Sequence, residues 1–133
     1  MSLVFLDTVG LLALWDRSDQ WHAHAEQAWR VLQNQRSPLL TTSFVLLECG
    51  NAAARKPYRQ AVDRLRRQLE AAHLLMTPSA EEWTQAWEAY RRGDSEQAGI
   101  VDQVSFCVMH RHNITQAFTN DRHFSAAGFQ VLF

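Results

Sequence analysis

Four carboxylates in this 133-residue chain stand where apolar side chains would be expected. Asp7 directly follows the run Leu3-Val4-Phe5-Leu6, and Glu48 interrupts Phe44-Val45-Leu46-Leu47-Glu48-Cys49. Asp102 interrupts Gly99-Ile100-Val101-Asp102-Gln103-Val104, and Asp121 follows Ala117-Phe118-Thr119-Asn120. A carboxylate among apolar neighbours is costly unless it is paired, protonated or bound to a metal. Two of them 4 Å apart repel by about 4 kcal/mol at an effective dielectric near 20. A helix N-terminus returns only about 0.3–1 kcal/mol. A dication removes the conflict, and an all-oxygen donor set selects Mg²⁺ or Mn²⁺ over zinc. Such an ion acidifies a water, aligns it with a phosphodiester and stabilises the leaving oxygen. The chemistry to expect is phosphoryl transfer that needs no serine or histidine nucleophile.

This reading requires a scaffold that gathers distant residues. Short apolar runs alternate with longer amphipathic stretches. Strands are predicted at Leu3–Leu6, Leu39–Thr41, Leu74–Thr77, Ala117–Thr119 and Phe129–Phe133. Helices are predicted over Val9–Trp15, over Trp21–Gln35 with Asp19 as cap, and from Phe44 to about Arg55 with Ser43 as cap. Others run from Pro57 to about Ala72, from Ser79 onward, and from Ile100 to about His112. Ser79 and Glu82 have the spacing of a capping box. Strands separated by helices imply a parallel sheet covered on both faces, one domain over residues 1–133. Ligands of such sheets bind at the carboxyl ends of the strands, near the switch in strand order. Asp7 and Asp121 end strands at that edge, and Glu48 and Asp102 lie early in helices that start there.

Each acid taken singly has a local explanation. Asp7 can cap the following helix, Glu48 can pair with Arg55 or a distant arginine, and Asp121 can make an Asx turn. Four at one edge of one sheet are harder to explain that way. Phe5-Leu6-Asp7-Thr8, Leu47-Glu48, Ile100-Val101-Asp102 and Phe118-Thr119-Asn120-Asp121-Arg122-His123-Phe124, followed by Gly128-Phe129, resemble the motifs of PIN domains, in particular the VapC-like toxin ribonucleases. The resemblance spans essentially the whole chain. It implies a three-layer α/β/α fold with a central parallel sheet, an acidic pocket for Mg²⁺ or Mn²⁺, and endonucleolytic cleavage of RNA. It also implies a homodimer and a cognate antitoxin that blocks the site. Asp7, Glu48, Asp102 and Asp121 match the acidic quartet; Thr8 and Thr119 match auxiliary hydroxyl positions. Two features depart from the family pattern: Gly99 stands where a Ser or Thr cap is common, and the loop before it has no aromatic residue but offers Asp94 and Glu96.

Composition is compatible with this picture without requiring it. Thirteen Lys and Arg against 14 Asp and Glu give a net charge of −1, which argues against a basic nucleic-acid-coating protein. Setting the quartet aside leaves 13 cations against 10 acids, so the remainder is basic. Six cations fall between Arg55 and Arg67, either a track for an RNA backbone or a solvated helix face. Arg122, beside Asp121, is placed to hold a phosphate or to pair with Glu96. The six histidines lack zinc spacing, and His123 reads as structural. Trp83, Trp87 and Tyr90 form a helical stripe read as core, or as a dimer or antitoxin interface if exposed. Cys49 and Cys107 read as reduced thiols of a cytoplasmic protein, with no membrane span. Three competing readings are a non-catalytic PIN-like module that binds RNA or protein, a non-toxin PIN nuclease, and a phosphoacceptor domain using Asp7. The complete quartet argues against the first. The last lacks the second aspartate two residues beyond Asp7.

Overall fold

The computed structural model describes residues 2–133. Its five strands form one all-parallel sheet: β1 (Val4–Leu6), β2 (Leu39–Thr42), β3 (Leu75–Met76), β4 (Gln116–Phe118) and β5 (Gln130–Val131). The spatial order is β3-β2-β1-β4-β5. Helices α1 (Thr8–Trp15), α2 (His22–Asn34), α3 (Ser43–Ala52), α4 (Arg59–Ala71), α5 (Ala80–Arg92), α6 (Asp94–Gln97), α7 (Ile100–Arg111) and α8 (Arg122–Ala126) pack around it. This is the expected three-layer α/β/α arrangement. No helix among the described residues is long and apolar enough to cross a membrane.

β1 is central and wholly buried, as a continuous apolar run in a parallel sheet should be. Its register sets Phe5 beside Leu40 on one side and beside Ala117 on the other. The Thr41 hydroxyl donates to the Leu6 carbonyl at 2.6 Å, tying β2 to the end of β1. The core continues through Leu11, Val45, Val108, Met109, Phe118 and Phe124. Gly10 has a specific role: a Cβ there would lie 2.0 Å from the Phe118 carbonyl oxygen. Only glycine lets α1 rest directly on β4.

Several local expectations are corrected. α3 is capped by Thr42, whose hydroxyl accepts from Val45 N at 3.2 Å, so Ser43 is already helical. Asp19 does not cap α2; it accepts from Trp21 N at 2.8 Å, one turn earlier. An extra short helix, α8, follows Asp121. The Trp83, Trp87 and Tyr90 stripe is not core: these residues are 46, 42 and 49% exposed. α5 instead buries Glu82 and Ala86. α5 lies against α7, and Trp83 and Trp87 line a groove with Ile100, Val101 and Val104 of that helix. Glu82 can be buried because it completes the Ser79 capping box and faces Arg111 at 3.3 Å. The Gly93–Gly99 segment contains α6, a single turn in which Ser95, Glu96 and Gln97 have left-handed φ of 57–59°. That conformation costs about 1–2 kcal/mol for each residue with a Cβ.

The Gly10 contact yields a test. Gly10→Ala should destabilise the fold by about 3 kcal/mol through overpacking against backbone that cannot move aside. Urea unfolding of the two proteins measures it, and a loss under about 1 kcal/mol would mean that α1 can shift.

Candidate active site

The strand order reverses at β1, with β2 on one side and β4 on the other. The carboxyl ends of β1 and β4 therefore border the crevice where ligands of such sheets bind. Asp7 is the first residue beyond β1 and caps α1, its Oδ2 accepting from Val9 N at 3.3 Å. Asp121 lies just beyond β4 and caps α8, its Oδ1 accepting from His123 N at 2.9 Å. The local explanations for both acids hold, and they are what aims the carboxylates.

One hydroxyl joins the two strand ends. Thr119 donates to Asp7 Oδ2 at 2.8 Å and accepts from Asp121 N at 3.1 Å. Asp102, in the first turn of α7, comes to the same place from another helix. Asp102, Asp121 and His123 each offer an atom such that all three lie within 4.8 Å of one another, close enough to share one metal ion. Glu48 reaches the rim from α3, where its Oε1 accepts from the Thr8 hydroxyl at 2.6 Å. It is exposed, not enclosed by the apolar residues that surround it in sequence.

The electrostatics record how closely these charges are held. Asp7 is 1% exposed, and its pKa is raised from 3.8 to about 7. Burial is the main cause; Asp102 and then Asp121 add to it, while Thr119 and Val9 pull the other way. Asp102 is raised to about 6 by burial, then by Asp121 and Glu48, with His123 opposing. The metal-free centre thus retains protons that a dication would displace, and the oxygen-rich donor set suits a hard divalent ion. Asp102, Asp121 and His123 are near enough to share it, Asp7 lies buried beside them, and Glu48 stands at the exposed rim. His123 was not expected here. With a proton on Nδ1 it donates to Asp121 Oδ1 at 2.8 Å, the arrangement by which a second group orients a metal-binding carboxylate. The sequence signal was the spacing Asp121-x-His123 at a helix start.

Other candidates lie apart from the cluster. Asp94 is engaged by Arg92 at 2.9 Å, and Glu96 faces Arg122 at 3.7 Å with both side chains exposed. In the cationic stretch, Arg66 bonds to Asp63 and Glu70, Arg67 faces Asp63, and Arg59 donates to the Ala54 carbonyl. Those three behave as a solvated helix face. Cys49 is buried, with its thiol pushed up to about 12 by burial and by Asp7 and Glu48, so it supplies no nucleophile. An apolar cavity of about 350 Å³ lies between α3 and α4, and none of the quartet lines it.

Comparison with known proteins agrees with this geometry. A family profile described as PIN domain matches residues 4–130. A protein named 23S rRNA-specific endonuclease VapC20, from two strains of Mycobacterium tuberculosis, is 33% identical over 135 aligned positions, covering 96% of this chain and 95% of that protein. The crystal structure of Mycobacterium tuberculosis VapC20, titled a Sarcin-Ricin loop cleaving toxin, superposes with a TM-score of 0.76. It is 29% identical, with 96% of each chain covered. FitAcB from Neisseria gonorrhoeae shares the fold at a TM-score of 0.60 and 16% identity, covering 98% of this chain and 96% of its own.

The raised Asp7 pKa has a definite sign in stability. Between its ordinary value of 3.8 and about 7, the folded protein holds a proton that the unfolded chain releases. The metal-free fold therefore keeps this contribution below about pH 4 and loses it as pH rises through 7, by about 4 kcal/mol in all. Asp7→Asn stays neutral throughout. In EDTA it should be more stable than wild type at pH 7.5 and equal at pH 4, as read by urea melts. Equal pH slopes for the two proteins would contradict the assignment.

Proposed function

The chain belongs to the PIN-domain family, and from that premise we propose that it is a metal-dependent endoribonuclease, the toxin of a type II toxin–antitoxin pair. The observation that carries the reading is the convergence of Asp7, Asp102 and Asp121 beside the strand-order reversal, two of them with raised pKa values. Asp7, Glu48, Asp102 and Asp121 would hold Mg²⁺ or Mn²⁺. The bound ion supplies an acidified water and charge neutralisation at the leaving oxygen of an RNA phosphodiester.

The protein's own residues fix the arrangement. Thr119 and Val9 N hold the Asp7 carboxylate in one orientation. Thr119 accepts from the Asp121 backbone N–H, the His123 backbone and ring N–H groups hold the Asp121 carboxylate, and Thr8 steadies Glu48 at the solvent edge. Arg122 is exposed beside Asp121, so its guanidinium can leave Glu96 for a phosphate oxygen of the substrate. No side-chain nucleophile is required. The working compartment is the cytoplasm, where the RNA is, and a cognate antitoxin protein covers the centre until release.

A second copy of this chain would dock on the aromatic stripe of α5. Phe44, Trp83, Trp87 and Tyr90 form a ladder with successive ring centroids 5.8, 5.9 and 5.4 Å apart. Glu88 and Arg91 line the same cleft. Their opposite charges in one cleft would give a paired copy the self-complementarity that an isologous interface needs. An RNA backbone would meet Glu88 with no excess of positive charge to offset it.

Purified protein should cut RNA with Mg²⁺ or Mn²⁺ and not in excess EDTA. Asp7→Asn should lower the rate at least 100-fold while keeping the far-UV spectrum, with cut sites mapped on total RNA including 23S rRNA. Cleavage that survives EDTA would remove the metal from the account, and harmless expression of wild type would remove the toxin role. Light scattering should give a dimer for wild type and a monomer for Trp87→Glu. A wild type that stays monomeric at about 100 µM contradicts the placement.

A further inference from the structure

Between α5 and α7 the chain makes its most strained passage. Ser95, Glu96 and Gln97 follow one another at φ 57°, 58° and 59°. A Cβ disfavours that backbone, and no glycine relieves these three positions. A run of this kind persists only where its surroundings hold it in place.

The hold comes from Gln103, which is 3% exposed and directly follows Asp102 in α7. Its Nε2 donates to the Asp94 carbonyl at 2.9 Å and to the Ala98 carbonyl at 3.4 Å, so one amide spans the turn from end to end. Gln103 is not needed to start the helix, because its own N–H already bonds to the Gly99 carbonyl at 3.0 Å. On its far side the turn packs against α8, where Glu96 faces Arg122 at 3.7 Å. The strained segment is thus wedged between the helix that carries Asp102 and the helix that Asp121 caps.

We propose that Gln103 is a positioning residue of the acid centre: its amide locks the left-handed turn, and the locked turn sets the gap between Asp102 on α7 and the Asp121–His123 pair on α8. The inference rests on the reading of those acids as the nuclease centre. An apolar side chain of similar size would fill the same buried volume, but only a donor can bridge the two carbonyls. Without the bridge the turn relaxes toward right-handed backbone, and α8 loses the surface it leans on.

The test compares wild type, Gln103→Leu, and Gln103→Leu combined with Ser95→Gly and Gln97→Gly. The glycines adopt left-handed backbone without strain, so they should replace the lock. Gln103→Leu should weaken Mn²⁺ binding, measured by calorimetry on the folded protein without RNA, by about tenfold. It should lower kcat by a similar factor and leave the KM for RNA within about threefold. The added glycines should return the Mn²⁺ affinity to within about threefold of wild type. A Gln103→Leu protein that melts lower yet binds Mn²⁺ and turns over as wild type does would overturn the proposal, as would glycines that restore the melting temperature but not the affinity. If Gln103→Leu is insoluble, Gln103→Glu keeps the length and replaces donor by acceptor, and the same comparison applies. Asp7→Asn separates the two readings. If it abolishes cleavage while Gln103→Leu changes nothing, the positioning role alone fails; if it leaves cleavage intact, the nuclease centre itself is misplaced.

Discussion

Carboxylates held together against their own repulsion are the constraint around which this molecule is organised. The hydroxyl of Thr119 is the smallest part of the solution and the most connected: it donates to Asp7 and accepts from the backbone of Asp121. A single buried hydrogen bond contributes only about 1 kcal/mol, far less than two close charges lose in each other's presence. The fold as a whole must therefore supply the restraint. It does so by anchoring each acid to a different rigid element: the end of β1, the cap of α8, and the first turn of α7. Protonation of Asp7 up to about pH 7 is the metal-free compromise.

The parallel sheet makes this gathering possible. Strand ends at one edge are about 5 Å apart, so residues more than a hundred positions apart in sequence become neighbours once β1 and β4 pair. Close approach of α1 to β4 depends on Gly10, and the end of β1 is fixed to β2 by Thr41. The site accumulates unfavourable features: like charges, a buried carboxylate, a left-handed turn without glycine at its centre. The sheet and its apolar core offset them. Strain concentrated beside a functional centre and compensated elsewhere is a common arrangement in folded proteins.

Much of this was legible in the sequence where local and global signals coincide. Asp7 and Asp121 each follow an apolar strand run, so their place at the sheet edge follows from strand periodicity alone. The Ser79 capping box forms as its spacing predicts. Glu48 was read as enclosed because α3 is apolar on nearly every face, and hydropathy cannot tell which face meets solvent; Leu47 beside it is exposed as well. The α5 stripe was misread for a related reason. Aromatic spacing predicts the inward face, whereas α5 buries Glu82 and Ala86. His123 reads as structural in the sequence because its relation to Asp121 arises from the turn of α8, an element too short to announce itself. The left-handed path of 95–97 leaves no trace in residue type, since Ser, Glu and Gln have no preference for it.

The central claim is that the fold forces carboxylates to keep protons until a divalent ion replaces them. It is tested most directly by counting protons released when Mn²⁺ binds, using calorimetry at pH 6 in buffers of different ionisation enthalpy. Wild type should release between about one and two protons per site, from Asp7 and Asp102, and Asp7→Asn should release about one fewer. Mn²⁺ binding with no proton release in wild type, or with the same release in Asp7→Asn, would contradict the account.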